Sequence, residues 1–171
     1  MRNRVDRYTS HSDIFSYFYY KVNRGALYFL INIERDYEKI IKSAIKLLQD
    51  EGIGGDRSIG KGLGNLEFKD FELNTPNNAN CFINLSLYYP EYDELIKFKD
   101  SKNIISYDLI ERGGWVDSIV GNFRKKAINM FVEGSIFPKI DGKEFYGKLV
   151  PVYPNPLIYR YGIAYAIDVI V

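Results

Sequence analysis

Residues 52–64, GIGGDRSIGKGLG, combine six glycines with two cations and a hydroxyl, which are residue types that hold phosphate groups. Glycine permits positive φ angles, so the backbone N–H groups of such a loop can converge on an anion. Arg57 and Lys61 supply positive charge, and Ser58 supplies the hydroxyl. We therefore interpret the segment as a candidate phosphate-binding loop. The alternative interpretation is a long flexible connection.

The loop contains the beginning of a nucleotide-binding P-loop motif. Gly55 to Lys61 reads G-x-x-x-x-G-K, but Gly62 occupies the next position, where a Ser or Thr would ligate magnesium. A P-loop also needs a strand before it and a helix after it, so that the helix N-terminus faces the phosphates. The segment before this loop has helical periodicity instead, which disfavours an NTPase.

That preceding segment is the clearest helix in the sequence. From Tyr37 to Leu48, apolar residues recur at spacings of three and four positions, which is the period of an α-helix. Asp36 and Glu38 suit its N-terminus, and Gly52 suits the position after its last residue. We therefore expect the glycine loop to follow a helix and to lead into a strand.

Much of the remaining sequence has the composition of β-strands, with 15 Tyr and 11 Phe in the whole chain. A short second helix is expected after Pro90. The order of strand, helix, strand, strand, helix and further strands predicts an α+β protein with a ferredoxin-like (RRM-like) βαββαβ domain, carrying extra strands, hairpins and the glycine-rich loop. The strand candidates are residues 14–22, 25–33, 65–73, 81–89, 106–118, 128–138, 147–154 and 159–171.

Composition restricts the classes of site that the chain can carry. The net charge is +1, so any polyanion site has to be a local basic patch. With Cys81 as the only cysteine and His11 as the only histidine, a disulfide framework and a cysteine-based zinc site are excluded. We expect no metal and no cofactor. No stretch reaches the roughly 18 apolar residues of a membrane span, and we predict a cytoplasmic protein.

A second basic patch lies between two of the strand candidates. The sequence RKK at 124–126 suits either a solvated turn or a hairpin that reaches across RNA, and Trp115 suits either stacking on a base or ordinary packing. Arg160 is expected on the exposed side of the last strand. The candidate RNA-binding residues of this patch are Arg112, Trp115, Arg124, Lys125 and Lys126.

Four segments together resemble the RAMP superfamily of CRISPR proteins: RNRVDRYTS at 2–10, the glycine loop after a helix, NMFVEGSIF at 129–137 and VYPNPLIYRYGIAYAI at 152–167. Within the superfamily they are similar to the family of subunit four of the type III-A (Csm) effector, which caps the 5′ end of the guide. The resemblance covers nearly the whole chain but only the second half of that family's proteins. We therefore expect 1–13 to be a basic linker or arm that follows an absent N-terminal domain, in a truncated chain or a split gene, and 14–171 to be the ferredoxin-like RAMP domain.

The resemblance implies a non-catalytic subunit that binds the 5′ handle of crRNA. Its implied partners are the large polymerase/nuclease-type subunit of the Csm complex and the backbone RAMP subunit. Loops of this kind in the superfamily approach the RNA backbone, and such contacts position RNA without reading its sequence. The loop residues implied to bind RNA are Gly54, Gly55, Arg57, Ser58, Gly60, Lys61 and Gly62.

Two other functions remain open at this point. Some RAMP relatives cleave precursor crRNA with a histidine as general acid or base, which would make His11 the catalytic residue of a metal-independent endoribonuclease. Tyr8, Tyr17 or Lys21 could assist it, although no spacing favours them. The chain could also be a protein–protein scaffold whose contact with RNA is secondary.

Overall fold

The computed structural model describes residues 2–6, 8–15, 22–101, 105–118 and 121–171. The chain divides into two compact units, Met1–Lys69 and Asp70–Val171. Helices occur beside several small antiparallel sheets, which confirms the α+β class. The ferredoxin-like arrangement and the limits of the RAMP domain stay predictions.

The first unit begins with a hairpin of strands β1 (Arg2–Val5) and β2 (Ser12–Phe15), which pair antiparallel. The Asp6 carboxylate stabilises the turn by accepting hydrogen bonds from the backbone N–H groups of Thr9 and Tyr8, each at 2.9 Å. These bonds lower the pKa of Asp6. The segment expected to be a linker therefore has regular structure, whereas most of the strand predicted at 14–22 lies outside the described residues.

The predicted helix is confirmed. A 3-10 turn at Arg35–Tyr37 leads directly into helix α1 (Glu38–Glu51). Gly52 ends the helix with a φ of 87°, and its N–H donates to the Leu48 carbonyl at 2.8 Å. Within the described unit the apolar stripe is not covered, since Ile40 is 67% exposed and Leu47 is 56% exposed.

Two strand predictions in or beside this unit are wrong. Neither 25–33 nor 65–73 belongs to a strand, and Leu27 and Tyr28 are each 88% exposed. A strand needs a neighbour that exchanges backbone hydrogen bonds with it, and β propensity alone does not supply one. The Leu66 N–H donates to the side chain of Gln49 instead, at 3.3 Å.

The second unit is built mostly from antiparallel pairs of strands and one helix. The predicted short helix is confirmed as α2 (Tyr92–Asp100). The strands are β3 (Cys81–Asn84), β4 (Leu109–Arg112), β5 (Trp115–Ser118), β6 (Gly121–Arg124), β7 (Ile128–Phe131), β8 (Ile136–Pro138), β9 (Gly147–Pro154), β10 (Leu157–Ile163) and β11 (Ala166–Val169). Each predicted strand from residue 81 onwards thus contains at least one observed strand, and those at 106–118, 128–138 and 159–171 each divide into two.

Strand β3 lies at the centre of a sheet with the order β11-β3-β8. The core beneath it is aromatic: the Phe82 ring stacks on the Tyr146 ring with centroids 4.1 Å apart, and Phe98 of α2 stacks on Phe137 at 5.0 Å. These rings and Tyr88 are buried. The sheet and α2 are therefore joined by one aromatic cluster.

The N-terminal turn of α2 carries a carboxylate into this core. Glu94 is fully buried and accepts hydrogen bonds from the Tyr88 hydroxyl and the Gly147 N–H, both at 2.9 Å. The Lys143 ammonium lies 2.9 Å from the same carboxylate and 3.0 Å from Glu91. Burial alone would lower the pKa of Lys143, but its hydrogen bonds to Glu94 and Glu91 raise it above the ordinary value. Burial, together with the Glu94 charge, raises the pKa of Tyr88.

Candidate RNA interface

The glycine loop is closed by its own backbone. The Ile53 N–H donates to the Gly62 carbonyl at 2.9 Å, which joins the two ends of the loop. A 3-10 turn at Arg57–Ile59 lies between them, and the Gly60 N–H donates to the Arg57 carbonyl at 2.9 Å. The loop therefore has a defined fold rather than the form of an unstructured connection.

Two glycines of the loop are required because other backbone atoms of the loop lie very close to them. A Cβ atom at Gly62 would lie 2.7 Å from the Ile53 nitrogen and closer still to the Ile53 carbonyl oxygen, and its φ of 78° disfavours other residues. A Cβ at Gly52 would lie 2.6 Å from the Lys61 carbonyl oxygen. Around Gly54 and Gly55, by contrast, a Cβ would meet nothing within 4 Å. The tip of the loop is thus open enough for a ligand to approach its backbone.

We expect Gly62→Ala to open the loop and Gly55→Ala to leave it closed. The clash at Gly62 destabilises the closed loop by about 1–3 kcal/mol, the usual cost of overpacking. Hydrogen exchange at the Ile53 amide measures this directly, because that amide forms the closing bond. Equal exchange rates in the two variants would contradict this description of the loop.

The charges of the loop are partly balanced within the unit. The Arg57 guanidinium lies 3.4 Å from the Glu51 carboxylate at the end of α1, and about half of each side chain is exposed. An exposed ion pair of this kind is weak, on the order of 0–1 kcal/mol, so a phosphate can compete with Glu51 for Arg57. Lys61 is half-buried, and the side chain of Ser58 is outside the described part of the structure.

The second predicted patch lies on one long hairpin. Strands β4 and β7 pair antiparallel, and β5 and β6 continue the same hairpin beyond a break at Gly113–Gly114 and 125–127. We call the β5–β6 portion the arm. All five predicted patch residues lie in this hairpin, at the break or at the ends of its strands: Arg112, Trp115, Arg124, Lys125 and Lys126.

The arm presents an aromatic ring and a cation on one face. Trp115 and Arg124 are directly opposite each other in the β5–β6 register, so their side chains leave the same face. Trp115 is 66% exposed, whereas Val116 on the other face is buried. The Phe123 ring, opposite Val116, lies 5.7 Å from the ring of Tyr153 in β9. One face of the arm therefore packs on its own unit, and the other displays Trp115 and Arg124.

Sequence reasoning did not identify a side chain that attaches this hairpin to a neighbouring strand at its break. The Arg160 guanidinium in β10 donates to the Gly113 carbonyl at 2.7 Å, directly at the break. The RNA-binding roles of the loop and of the hairpin residues remain predictions. The loop belongs to the first unit and the hairpin to the second.

His11, the candidate nuclease residue, immediately precedes β2 in the N-terminal hairpin and is exposed. Its Nε2 atom is 3.1 Å from the Asp13 carboxylate. Tyr8 is 99% exposed, and the other nominated residues, Tyr17 and Lys21, lie outside the described residues.

Within the described ranges, no three His, Cys, Asp or Glu side chains cluster as metal ligands would. Across those same ranges, no helix has the length and apolar character to span a membrane.

Comparison with known proteins places the chain among CRISPR proteins. The family model described as "CRISPR Csm4 C-terminal domain" matches residues 77–169. Over 148 residues the chain is 33% identical to "CRISPR system Cms protein Csm4" of Methanocaldococcus jannaschii, which covers 79% of this chain and 37% of the relative. Over 136 residues it is 29% identical to the protein of the same name from Thermococcus onnurineus, covering 77% of this chain and 41% of the relative.

The match extends over more than half of the chain and includes the aromatic core, the hairpin and the β9–β10 pair. The chain therefore belongs to the Csm4 C-terminal domain family, which confirms the predicted resemblance to subunit four of Csm effectors. It spans about two fifths of the length of these two relatives.

Proposed function

We propose that the chain is an RNA-binding part of a type III-A CRISPR interference (Csm) complex, where it holds the 5′ handle of crRNA without cutting it. The observation that carries this proposal is membership of the Csm4 C-terminal domain family across residues 77–169. The arm lies inside the matched region, and so do the basic residues at its base. The ferredoxin-like arrangement is part of the same proposal.

The chemistry of the arm favours single-stranded RNA as the ligand. An exposed tryptophan offers a flat face on which an unpaired base can stack, and an arginine beside it can bind the adjacent phosphate. Trp115 and Arg124 have this arrangement on one face of the arm. Since the net charge of the chain is only +1, binding depends on such local groups rather than on a general attraction to nucleic acid.

The glycine loop supplies a second, backbone-directed contact in this proposal. Its open tip at Gly54 and Gly55 lets a sugar–phosphate chain approach, and Arg57 and Lys61 supply positive charge. Contacts of this type position RNA, and specificity for the handle then depends on bases held by stacking or by hydrogen bonds to their edges.

We expect the double variant Arg57→Ala, Lys61→Ala to bind handle-bearing guide RNA about tenfold more weakly than wild type. Loss of two phosphate contacts also reduces the slope of log affinity against log salt by about 0.7 per contact. Gel-shift titrations at two or more salt concentrations measure both quantities. The double variant Lys97→Ala, Lys99→Ala on α2 removes the same charge elsewhere and serves as the control; an equal loss in both would contradict a specific role for the loop.

The same gels distinguish binding from cleavage. The proposed function requires the RNA to remain intact and the His11→Ala variant to bind like wild type. Cut RNA that becomes stable in His11→Ala would instead establish the endoribonuclease with His11 as general acid or base.

A scaffold function has separate support in the exposed apolar side chains of α1, of the 3-10 turn that precedes it, and of α2. Tyr37, Ile40 and Leu47 are each more than half exposed in their unit, and Tyr92 of α2 is 76% exposed. Contiguous apolar surfaces that stay exposed are typical of protein-binding sites. We propose that such surfaces dock the large polymerase/nuclease-type subunit and the backbone RAMP subunit. Assembly that depends on these side chains and responds little to salt would favour this function over RNA binding.

A further inference from the structure

The long hairpin changes direction where its two pairs of strands meet. Two residues, Gly113 and Gly114, separate β4 from β5, whereas three residues, 125–127, separate β6 from β7. Gly114 has a φ of 137°, a conformation that favours glycine. The Lys125 N–H donates to the Gly114 carbonyl at 2.9 Å, so the hairpin continues across the break. A bulge of this kind bends a hairpin and directs the part beyond it.

Both sides of the break are attached to the β9–β10 pair. On one side, Arg160 of β10 donates from its terminal nitrogen to the Gly113 carbonyl at 2.7 Å. On the other side, the Lys126 N–H donates to the Val152 carbonyl of β9 at 2.8 Å. The first attachment is made by a side chain, and the second by backbone alone.

The surroundings of Arg160 indicate that its side chain is directed to this contact and not into solvent. The residue is half-buried, and its Nε atom is buried without a hydrogen-bond partner in the described part of the chain. Burying an unpaired polar atom is unfavourable. The charge-assisted bond to Gly113 compensates part of that loss. Loss of the guanidinium therefore removes the one side-chain bond that the structure describes at the break.

We propose that Arg160 is a positioning residue: by binding the Gly113 carbonyl it fixes the angle at which the arm leaves its unit, and so fixes the position of Trp115 and Arg124. The consequence for RNA rests on the proposed function. The consequence for the mobility of the arm does not rest on the proposed function, because it involves no RNA.

Trp115 is the only tryptophan in the chain, so its fluorescence reports on the arm alone. In Arg160→Met we expect the amplitude of the fast, nanosecond component of the Trp115 anisotropy decay to rise about twofold. Near-UV circular dichroism should show that the aromatic core remains folded. The affinity for handle-bearing guide RNA should fall about 3- to 10-fold. Arg160→Lys keeps a charged donor without the planar guanidinium and should restore part of both losses. Lys99→Met on α2 is the control for loss of one exposed cation.

The outcomes separate this inference from the proposed function. Unchanged Trp115 anisotropy in a folded Arg160→Met variant would overturn the positioning role. If Arg160→Met fails to fold, Arg160→Lys decides: wild-type anisotropy in this variant overturns the role, and an intermediate increase supports it. Increased mobility of the arm in a protein that never binds RNA, even as wild type, would support the role of Arg160 and contradict the proposed function.

Discussion

Replacing Glu94 with leucine lowers the free energy of unfolding by about 3–5 kcal/mol, the usual cost of removing one member of a buried ionic network. Leucine suits a core position in size and polarity, but it leaves the buried Tyr88 hydroxyl and the partly buried Gly147 N–H without their acceptor. It also deprives Lys143 of the buried carboxylate 2.9 Å away. Urea unfolding followed by tyrosine and tryptophan fluorescence measures the change.

Two comparisons make the result specific. Glu94→Gln keeps an acceptor of the same shape and should lose less, about 1–2 kcal/mol. Glu144→Leu alters an exposed glutamate and should change the stability by less than about 0.5 kcal/mol. If Glu94→Leu were as stable as Glu144→Leu, the buried network would not be what holds α2 to the loop before β9.

Replacing Trp115 with alanine weakens binding of handle-bearing guide RNA about 10- to 100-fold, because stacking contributes about 1–3 kcal/mol per base. Stacking does not release counterions, so the salt dependence of binding should stay unchanged. Arg124→Ala should instead reduce the salt slope by about 0.7, the value for one phosphate contact on a single strand. Titrations of both variants over a salt series distinguish the two roles.

The control for Trp115→Ala is Phe145→Ala, which removes another exposed aromatic ring, 68% accessible, outside the hairpin. A similar loss in both variants would indicate a general effect of lost aromatic surface. Wild-type affinity in Trp115→Ala would contradict stacking on the arm; an unchanged salt slope in Arg124→Ala as well would favour an ordinary solvated turn.

The sequence predicts those elements whose signal is local. The three- and four-residue spacing of apolar residues determines α1, and Gly52 with its positive φ determines where the helix ends. The basic residues of the second patch are close together because a hairpin brings them together, and a hairpin is one of the two interpretations that RKK between two strand patterns allows. Most of the strands after residue 81 could be predicted as well, because their runs of apolar and aromatic residues are local signals.

Features that depend on distant residues could not be predicted in this way. Residues 25–33 have the composition of a buried strand, but composition does not say whether a pairing neighbour exists. In α2 nothing in the local sequence marks Glu94 as a core residue, whereas the structure buries it because Tyr88, Lys143 and Gly147 converge on it. These partners are up to 53 positions away in sequence.

Arg160 is a second case of the same limitation. Its position in an alternating strand indicated an exposed side chain, but the guanidinium reaches a carbonyl 47 positions earlier in the chain. A β-strand pattern indicates which face a residue occupies and not which other element covers that face. The attachment of the hairpin could therefore be found only from the structure.

The most direct test of the central claim is ultraviolet cross-linking of guide RNA to the assembled complex containing this protein, followed by mass spectrometry of the cross-linked peptides. The proposed function predicts that the 5′ handle is attached to the peptide of the arm that carries Trp115 and Arg124, and that the attachment is lost in Trp115→Ala. Cross-links of the handle to other subunits, with none to the arm or to residues 52–64, would contradict it.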